Sequence, residues 1–196
     1  MRLVAFLAIL VAAMLAVSCG GNTEQEADEP QIDTSQTKTE VAMAIKVTSP
    51  AFEDSAMIPS KYTCDGENIS PQIDWSGIPD TAKSIALIAD DPDAPRGTWV
   101  HWVVYNIPPE TAGFAENVPR ADTLANGAVH GTTDFGRKGY GGPCPPGGTH
   151  RYYFKVYALD TMLEFEGDID KAMLVQAIEG HVLAEGVLMG RYSRQK

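Results

Sequence analysis

The chain has 196 residues, of which 44% are hydrophobic and 21% are charged, and its formal net charge is −11 at pH 7. This composition is that of a globular protein with room for one domain and some additional sequence. The acidic balance argues against nucleic acid as a partner, because phosphate backbones bind clustered Lys and Arg side chains. Beyond the first residues, no stretch is long and apolar enough to span a bilayer.

Residues 1–18 are predicted to be a lipoprotein signal peptide. A single Arg precedes an apolar run from Leu3 to Val17, and small residues follow, which is the pattern of a secretory signal. The segment from Leu15 to Cys19 resembles a bacterial lipobox, which implies that Cys19 is lipidated and becomes the mature N-terminus. Gly20 in place of Asp favours, by the same resemblance, the outer membrane if the cell is Gram-negative. An ordinary signal peptide with a coincidental Cys is the alternative.

Residues 19–43 are predicted to be an acidic, disordered tether. Residues 20–40 contain six acids, one Lys and almost no apolar side chains, so burial there would not offset the entropy lost on ordering. A functional acidic tail is the alternative interpretation of this charge pattern. The folded domain is therefore predicted to span residues 44–196.

Short β-type segments separated by turn signals dominate the folded part. Apolar alternation or a continuous apolar run predicts strands in AIKVTSPAF, KSIALIAD, TWVHWVVYNI, HRYYFKVYALD and EGVLMGRYS. The segments PQIDWSGIPD and NIPPETAGF are punctuated like loops. These elements predict a mainly β fold of two packed antiparallel sheets, with one or two short helices near the C-terminus.

One helix is predicted in GDIDKAMLVQAIEGHVL, with Asp168 or Asp170 as its N-cap. The side chains expected on one side of this helix are Ile169, Met173, Ala177 and His181.

Two cysteines remain if Cys19 is acylated. Cys64 and Cys144 both lie in loop-like segments that contain Gly or Pro, and an even number of cysteines in an oxidising compartment favours a disulfide. Two reduced, half-buried thiols are the alternative. Neither cysteine has the CxxC or Cys–His spacing of a zinc site, so zinc is not expected there. No other metal and no cofactor is predicted.

Three of the predicted strands carry a polar, chemically capable residue at one end of an apolar row. Side chains alternate along a strand, so residues two apart share a face. The shared faces are Ile85, Leu87, Ala89 and Asp91; Trp99, His101, Val103 and Tyr105; and His150, Tyr152, Phe154, Val156 and Ala158. Three such strand ends can converge on one small pocket at the edge of the core.

The loop before the third of these strands is rich in Gly and Pro. Nine of the thirteen residues from Gly136 to Gly148 are Gly or Pro. Glycine allows the backbone to approach a ligand closely, and successive N–H groups in such a loop can bind an anion. A rigid surface loop without a ligand is the alternative.

Two long motifs, DPDAP…HWVVYNIP and GYGGPCPPGGTHRYYFKVYAL, resemble the phosphatidylethanolamine-binding protein (PEBP) family, and more closely its bacterial Raf-kinase-inhibitor-like branch. The likeness covers about residues 45–193 and includes YTCDGENISP, TDFG and GRYSR. It implies an antiparallel β-sandwich with a shallow pocket for phosphate-like anions. The pocket residues that the resemblance implies are Asp91, Asp93, His101, Gly142, His150 and Tyr152.

This set suggests how an anion would be bound. The imidazoles of His101 and His150 supply N–H groups, and both are expected to be cationic if Asp91 or Asp93 is close enough to raise their pKa values. A carboxylate would orient a ring or accept from a ligand ammonium group. The alternatives are a core histidine satisfied by its neighbours and turn-capping aspartates. Arg151, on the opposite strand face, is expected to bond loop carbonyls or an acid.

The expected function is non-catalytic binding of a small phosphorylated or other anionic ligand, such as a phospholipid head group or a nucleotide-like molecule. The domain would be extracytoplasmic and would contact the membrane only through the lipid on Cys19. One alternative is a protein-interaction or inhibitor module, with a protein partner or a homodimer. A hydrolase or metal site using His101, His150 and Asp91, with His130 as a further ligand, is less favoured, because no GxSxG nucleophile or HExxH pair is present.

Overall fold

The computed structural model describes residues 43–194. The predicted signal peptide, the acylation site at Cys19 and the tether as far as residue 42 lie outside the described residues. Within residues 43–194, no helix combines the length and the apolar character needed to cross a membrane.

The described residues form nine strands and one α-helix, with a single 3₁₀ turn at Ser60–Tyr62. In chain order the elements are β1 (Met43–Ala44), β2 (Lys46–Thr48), β3 (Ile73–Ser76), β4 (Ser84–Asp91), β5 (Trp99–Ile107), β6 (Gly113–Phe114), β7 (Val129–His130), β8 (His150–Leu159), α1 (Lys171–Ile178) and β9 (Val182–Tyr192). The prediction of a mainly β fold with a short helix near the C-terminus is confirmed.

The strands form two sheets. The larger has six strands in the order β1-β9-β8-β4-β5-β7, and its neighbours are antiparallel except for the parallel pair β1 and β9. The smaller has the order β2-β3-β6. Strand β3 lies in PQIDWSGIPD, which the sequence analysis interpreted as a loop; that interpretation is wrong, because Ile73 and Trp75 are buried and alternate with less buried neighbours.

Two apolar clusters occupy the two faces of the large sheet. One fills the space between the sheets and includes Trp75, Trp102 and Phe154. The other lies between the large sheet and α1. All eight residues of β4 are buried because this strand contributes side chains to both clusters, which explains why its sequence is a continuous apolar run.

The helix begins after Asp170, one of its two predicted caps. The Asp170 carboxylate accepts a hydrogen bond from the Met173 N–H at 2.9 Å. The predicted apolar side of the helix is wrong in part, because Leu174 and Ile178 are its buried residues whereas Met173 is 42% exposed. His181 lies after the helix and pairs at the surface with Asp160.

An ion-pair cluster fastens α1 to the sheet. The carboxylate of Asp90 is buried, and its Oδ2 accepts from Lys155 Nζ on β8 at 2.9 Å and from Lys171 Nζ on α1. The other oxygen, Oδ1, has no hydrogen-bond partner in the described part of the chain. Asp90 therefore serves the helix side of the sheet, and its neighbour Asp91 points to the opposite side.

A β-bulge interrupts the ladder between β4 and β5. Ala89 pairs with Trp102 and Asp90 pairs with Val100, so one step on β4 corresponds to two steps on β5 and His101 is the extra residue. Trp102 lies in the cluster between the sheets, on the side that also carries His101, while Val103 packs on the helix side. The predicted shared face of Trp99, His101, Val103 and Tyr105 is therefore wrong beyond His101.

Candidate functional site

A cavity of about 220 Å³ lies where β4, β5 and β8 end next to the Gly-Pro loop. Its polar residues are Asp91, His101 and His150, one from each strand, as the strand-end argument predicted. Its apolar wall includes Trp99 and Phe135 and several prolines. Hollows of about 550 and 570 Å³ lie elsewhere on the surface, but neither is lined by a histidine.

His150 is anchored by a carboxylate. Its Nδ1 lies 2.7 Å from Asp91 Oδ2, and both side chains are nearly enclosed, with 9% and 5% of their surfaces exposed. The other oxygen of Asp91 accepts from the Asp93 N–H at 2.8 Å. Asp91 thus combines the predicted ring-orienting role with the turn-capping alternative. Because Nδ1 faces the carboxylate, Nε2 of His150 is left without a hydrogen bond among residues 43–194.

His101 is anchored by the backbone. Its Nδ1 lies 2.6 Å from the carbonyl oxygen of Gly141, which can only accept, so Nδ1 carries the proton and Nε2 is left without a partner in the described residues. Burial lowers the pKa of His101, and the nearby carboxylates of Asp91 and Asp90 offset this only in part. The expectation that a neighbouring Asp makes this ring cationic is therefore wrong; at neutral pH it is a neutral imidazole.

Tyr152 lies beneath the cavity. Its ring contacts that of His101 edge to face, with 5.2 Å between the ring centroids. Its hydroxyl is buried and has no hydrogen-bond partner in residues 43–194. Burial, followed by the charge of Asp91, raises the pKa of this hydroxyl, so it remains a protonated donor. Tyr152 does not line the cavity itself, so it lies behind the His101 ring rather than against the space for a ligand.

Two residues of the predicted set are engaged outside the cavity. Asp93 accepts three hydrogen bonds from Arg151, and this guanidinium lowers the pKa of Asp93 to about 2. The expectation that Arg151 bonds an acid is confirmed. The N–H of Gly142 donates to Asn68 Oδ1 at 2.7 Å and does not face the cavity. A side chain at Gly142 would collide with the backbone of Tyr62, so packing requires glycine here.

The cavity wall formed by the Gly-Pro loop is fastened to the preceding turn. Cys64 and Cys144 form a disulfide, with Cα atoms 5.4 Å apart, so the alternative of two thiols is not found. The Cys64 N–H also donates to the Pro143 carbonyl at 3.0 Å. Since Cys144 lines the cavity, this wall is held by a covalent bond as well as by hydrogen bonds.

His130 does not join the cavity. Its Nδ1 lies 2.6 Å from the Ala121 carbonyl, and its Nε2 accepts from Trp102 Nε1 at 3.0 Å, so both nitrogens are occupied inside the protein. Burial lowers the pKa of His130, which agrees with a neutral ring that must accept a hydrogen bond. No group of three or more His, Cys, Asp or Glu side chains within residues 43–194 is arranged to hold a metal ion.

Sequence reasoning missed an aromatic pair at the rim. The rings of Trp99 and Phe135 meet edge to face at 5.5 Å, and each residue is 36% exposed. Phe135 also contacts the His101 ring at 5.3 Å between centroids. The available signal was Phe135 in TDFG, an aromatic residue in a turn, but a single apolar residue at the surface is ordinary, and only the structure shows that it pairs with Trp99.

The fold and this geometry define a class of protein: a β-sandwich with a small polar cavity at the ends of its central strands. Residues 48–193 match the family model described as phosphatidylethanolamine-binding protein, and the chain belongs to that family. A UPF0098 protein of Methanothermobacter thermautotrophicus is 57% identical over 144 residues, which are 74% of this chain and 95% of that protein.

Two solved structures are similar to this one. A PEBP homologue from Chlamydia trachomatis, CT736, is 42% identical, with a TM-score of 0.72 over 78% of this chain and 99% of its own. Escherichia coli YbcL, a PEBP family member, is 34% identical, with a TM-score of 0.71 over 77% and 99%. Family membership supports ligand or anion binding in general, and the family is generally non-catalytic.

Proposed function

We propose that this protein binds a small phosphorylated ligand in the cavity, without catalysis, as a lipid-anchored extracytoplasmic protein. One observation carries the binding proposal. Two imidazoles, His101 and His150, are each anchored through Nδ1, and each is left with a free Nε2 at the same small cavity. Such preorganised rings lose little freedom when a ligand arrives, which lowers the entropic cost of binding.

A phosphomonoester suits this mixture of groups. The neutral His101 offers a lone pair at Nε2 and accepts from a protonated phosphate oxygen, and it becomes a donor once it gains a proton. Phosphomonoesters have a second pKa of about 6, so near neutrality the dianion predominates, and the minority monoanion carries the P–OH donor that a neutral His101 accepts from. The phosphate group is the part that all candidate ligands share. The remainder of the ligand would contact the aromatic and proline residues at the rim of the cavity.

The described residues that line the cavity supply no hydroxyl, amine or free thiol that a histidine base could activate, which supports the non-catalytic part of the proposal. Among the described residues that line it, none is Ser, Thr or Lys, and Cys144 is held in the disulfide. An imidazole base alone would lack a protein group to activate for covalent catalysis.

The lipid anchor and location rest on the N-terminal sequence and on the disulfide. The segment from Leu15 to Cys19 resembles a lipobox, and a disulfide such as Cys64–Cys144 persists in oxidising compartments. Phase partitioning of Cys19→Ser in detergent tests this: the variant should move to the aqueous phase. If wild type and variant partition alike, the anchor proposal is wrong.

Calorimetric titration of the full-length chain tests the binding proposal. The probes are inorganic phosphate, phosphoethanolamine and a nucleoside monophosphate, and the test variant is His101→Ala/His150→Ala. The matched control is His181→Ala, which removes an imidazole that contacts an aspartate at the same 2.7 Å but at the surface. Binding should occur in wild type and control and disappear in the test variant.

A different result would redirect the search. If none of the three probes binds the wild type, the phosphate proposal is wrong, and the cavity with its aromatic rim would then be examined as a contact for a protein partner. If the probes bind wild type and the double variant equally, the site lies elsewhere.

A further inference from the structure

Two arginines at the Gly-Pro loop, Arg120 and Arg137, form no salt bridge with an acidic side chain in the described residues, although the chain carries a net charge of −11. Arg120 donates from Nη2 to the Asn68 carbonyl at 3.0 Å, and Arg137 donates from Nη1 to the Tyr140 carbonyl at 3.3 Å. Neither guanidinium forms a salt bridge within residues 43–194. The adjacent Lys138 provides a contrast, because it is neutralised by Asp168 at 2.6 Å and by a second aspartate.

Arg120 and Arg137 both contact the same short turn around Gly139. The backbone of Gly139 packs so tightly on Arg120 that a Cβ there would lie 2.6 Å from Arg120 Cγ. Arg137 donates a hydrogen bond to the carbonyl of Tyr140, the residue after Gly139. Burial and the neighbouring charge of Arg120 together lower the pKa of Arg137. Two cations placed together without a counterion repel each other, and an anion bound between or above them would relieve that repulsion.

Phe135 connects Arg137 to the cavity. The guanidinium of Arg137 lies 5.4 Å from the centroid of the Phe135 ring, whose centroid in turn lies 5.3 Å from that of His101. The Arg137 guanidinium is therefore no further from the His101 ring than the sum of these two distances. A cavity of about 220 Å³ holds a head group and little more, so a larger ligand must leave it across the rim.

We propose that Arg120 and Arg137 form a second anion subsite, and that the ligand is a small molecule with two anionic groups. One phosphate occupies the cavity, and the second anion lies at the two guanidiniums after the ligand passes over Phe135. This inference rests on the proposed function, because it assumes that the first anion binds at His101 and His150. Arginine suits the second position, because its planar N–H groups bind phosphate or carboxylate oxygens in pairs.

A matched pair of ligands tests this subsite. The affinities of hexane-1,6-diyl bisphosphate and hexyl monophosphate are measured by calorimetry on the full-length chain. In the wild type the bisphosphate should bind about tenfold tighter or more, because hydrogen bonds to charged groups are the stronger ones. The ratio of the two affinities is the readout, since it cancels any general effect of a substitution on the cavity.

Three variants locate the effect. Arg120→Ala and Arg137→Ala should each lower the ratio, and Arg137→Lys, which keeps the charge but loses the planar fork, should give an intermediate value. Lys83→Ala removes one positive charge at the opposite end of β4 and should leave the ratio as it is in the wild type. High salt should lower the ratio in the wild type, because exposed charges are screened.

The outcomes separate the two proposals. If hexyl monophosphate does not bind, the proposed function fails. If it binds but the bisphosphate gains only the statistical advantage of its two ends, the second subsite is wrong and the proposed function stands. The subsite is also overturned if the ratio is high but the two alanine variants leave it unchanged.

Discussion

Two histidine–aspartate pairs in this protein have the same geometry and opposite surroundings. His150 and His181 each place Nδ1 at 2.7 Å from an aspartate oxygen, on Asp91 and Asp160 respectively. The first pair is 9% and 5% exposed, and the second is 47% and 48% exposed. A short contact distance therefore does not by itself indicate a site. The first pair is distinguished by its burial and by a free nitrogen that faces a cavity.

The largest expected effect comes from removing the disulfide that holds the cavity wall next to the buried pair of His150 and Asp91. Cys64→Ser/Cys144→Ser removes a cross-link between residues 80 apart in sequence and should lower the free energy of unfolding by about 4 kcal/mol. Urea denaturation measures the loss, and histidine NMR signals report on the two pairs in the folded variant. The His150 signals should shift and those of His181 should not. Equal shifts would mean that the disulfide does not act through the cavity wall.

The next effect tests the enclosure itself. Asp91→Ala leaves the His150 Nδ1–H and the Asp93 N–H without their acceptor in a buried setting and should cost about 3 kcal/mol of stability. Asp160→Ala breaks the exposed pair and should cost about 0–1 kcal/mol. Urea denaturation of both variants gives the comparison. Equal losses would contradict the distinction between the two pairs.

Stabilisation by a bound ligand should depend on His150, in the buried pair, and not on His181, in the exposed pair. Inorganic phosphate at about a hundred times its dissociation constant should raise the free energy of unfolding by about 2.7 kcal/mol, because it binds the folded state only. The rise is expected in the wild type and in His181→Ala, and it should be absent in His150→Ala. A rise of the same size in His150→Ala would remove this histidine from the site.

The smallest effect is a pH dependence carried by His101. Burial lowers its pKa in the folded state, so the unfolded chain binds the proton more readily and stability falls as the pH drops below about 6.5. The loss is at most about 1.4 kcal/mol per pH unit and ends below the folded-state pKa. His101→Asn should flatten the part of the urea-midpoint profile due to this residue, leaving the contribution of His130, which has the same sign. An unchanged profile would show that folding does not lower the pKa of His101.

The sequence identified the parts of the fold whose pattern is continuous. The runs that became β4, β5 and β8 are long and apolar, and a strand buried on both faces needs that composition. Strand β3 was not predicted because its four residues lie within a five-residue segment between Pro71 and Gly77, and such closely spaced Pro and Gly are typical of a loop. The buried side of α1 was placed incorrectly because a helix of eight residues offers too few turns to fix its rotation.

The candidate site was predictable to a similar extent. Asp91, His101 and His150 were placed together by the ends of their strands and by the family resemblance, and the structure brings them to one cavity. Gly142 was assigned to the ligand, but long-range packing against Asn68 takes its N–H. The charge state of His101 was expected to follow its acidic neighbours, and burial decided it instead. Long-range partners and burial are tertiary facts that a local pattern does not contain.

The bulge in β5 has a consequence for how such a site is gained or lost. If residue 101 is removed, Val100 and Trp102 become adjacent and continue the regular pairing with Asp90 and Ala89, each on the face it already occupies. Without His101, the side chains along β5 would still alternate regularly between the two faces of the sheet. A single-codon deletion would therefore remove one of the two imidazoles of the cavity while keeping the strand pairing intact, so in this chain the binding chemistry depends on a residue that the sheet itself does not require.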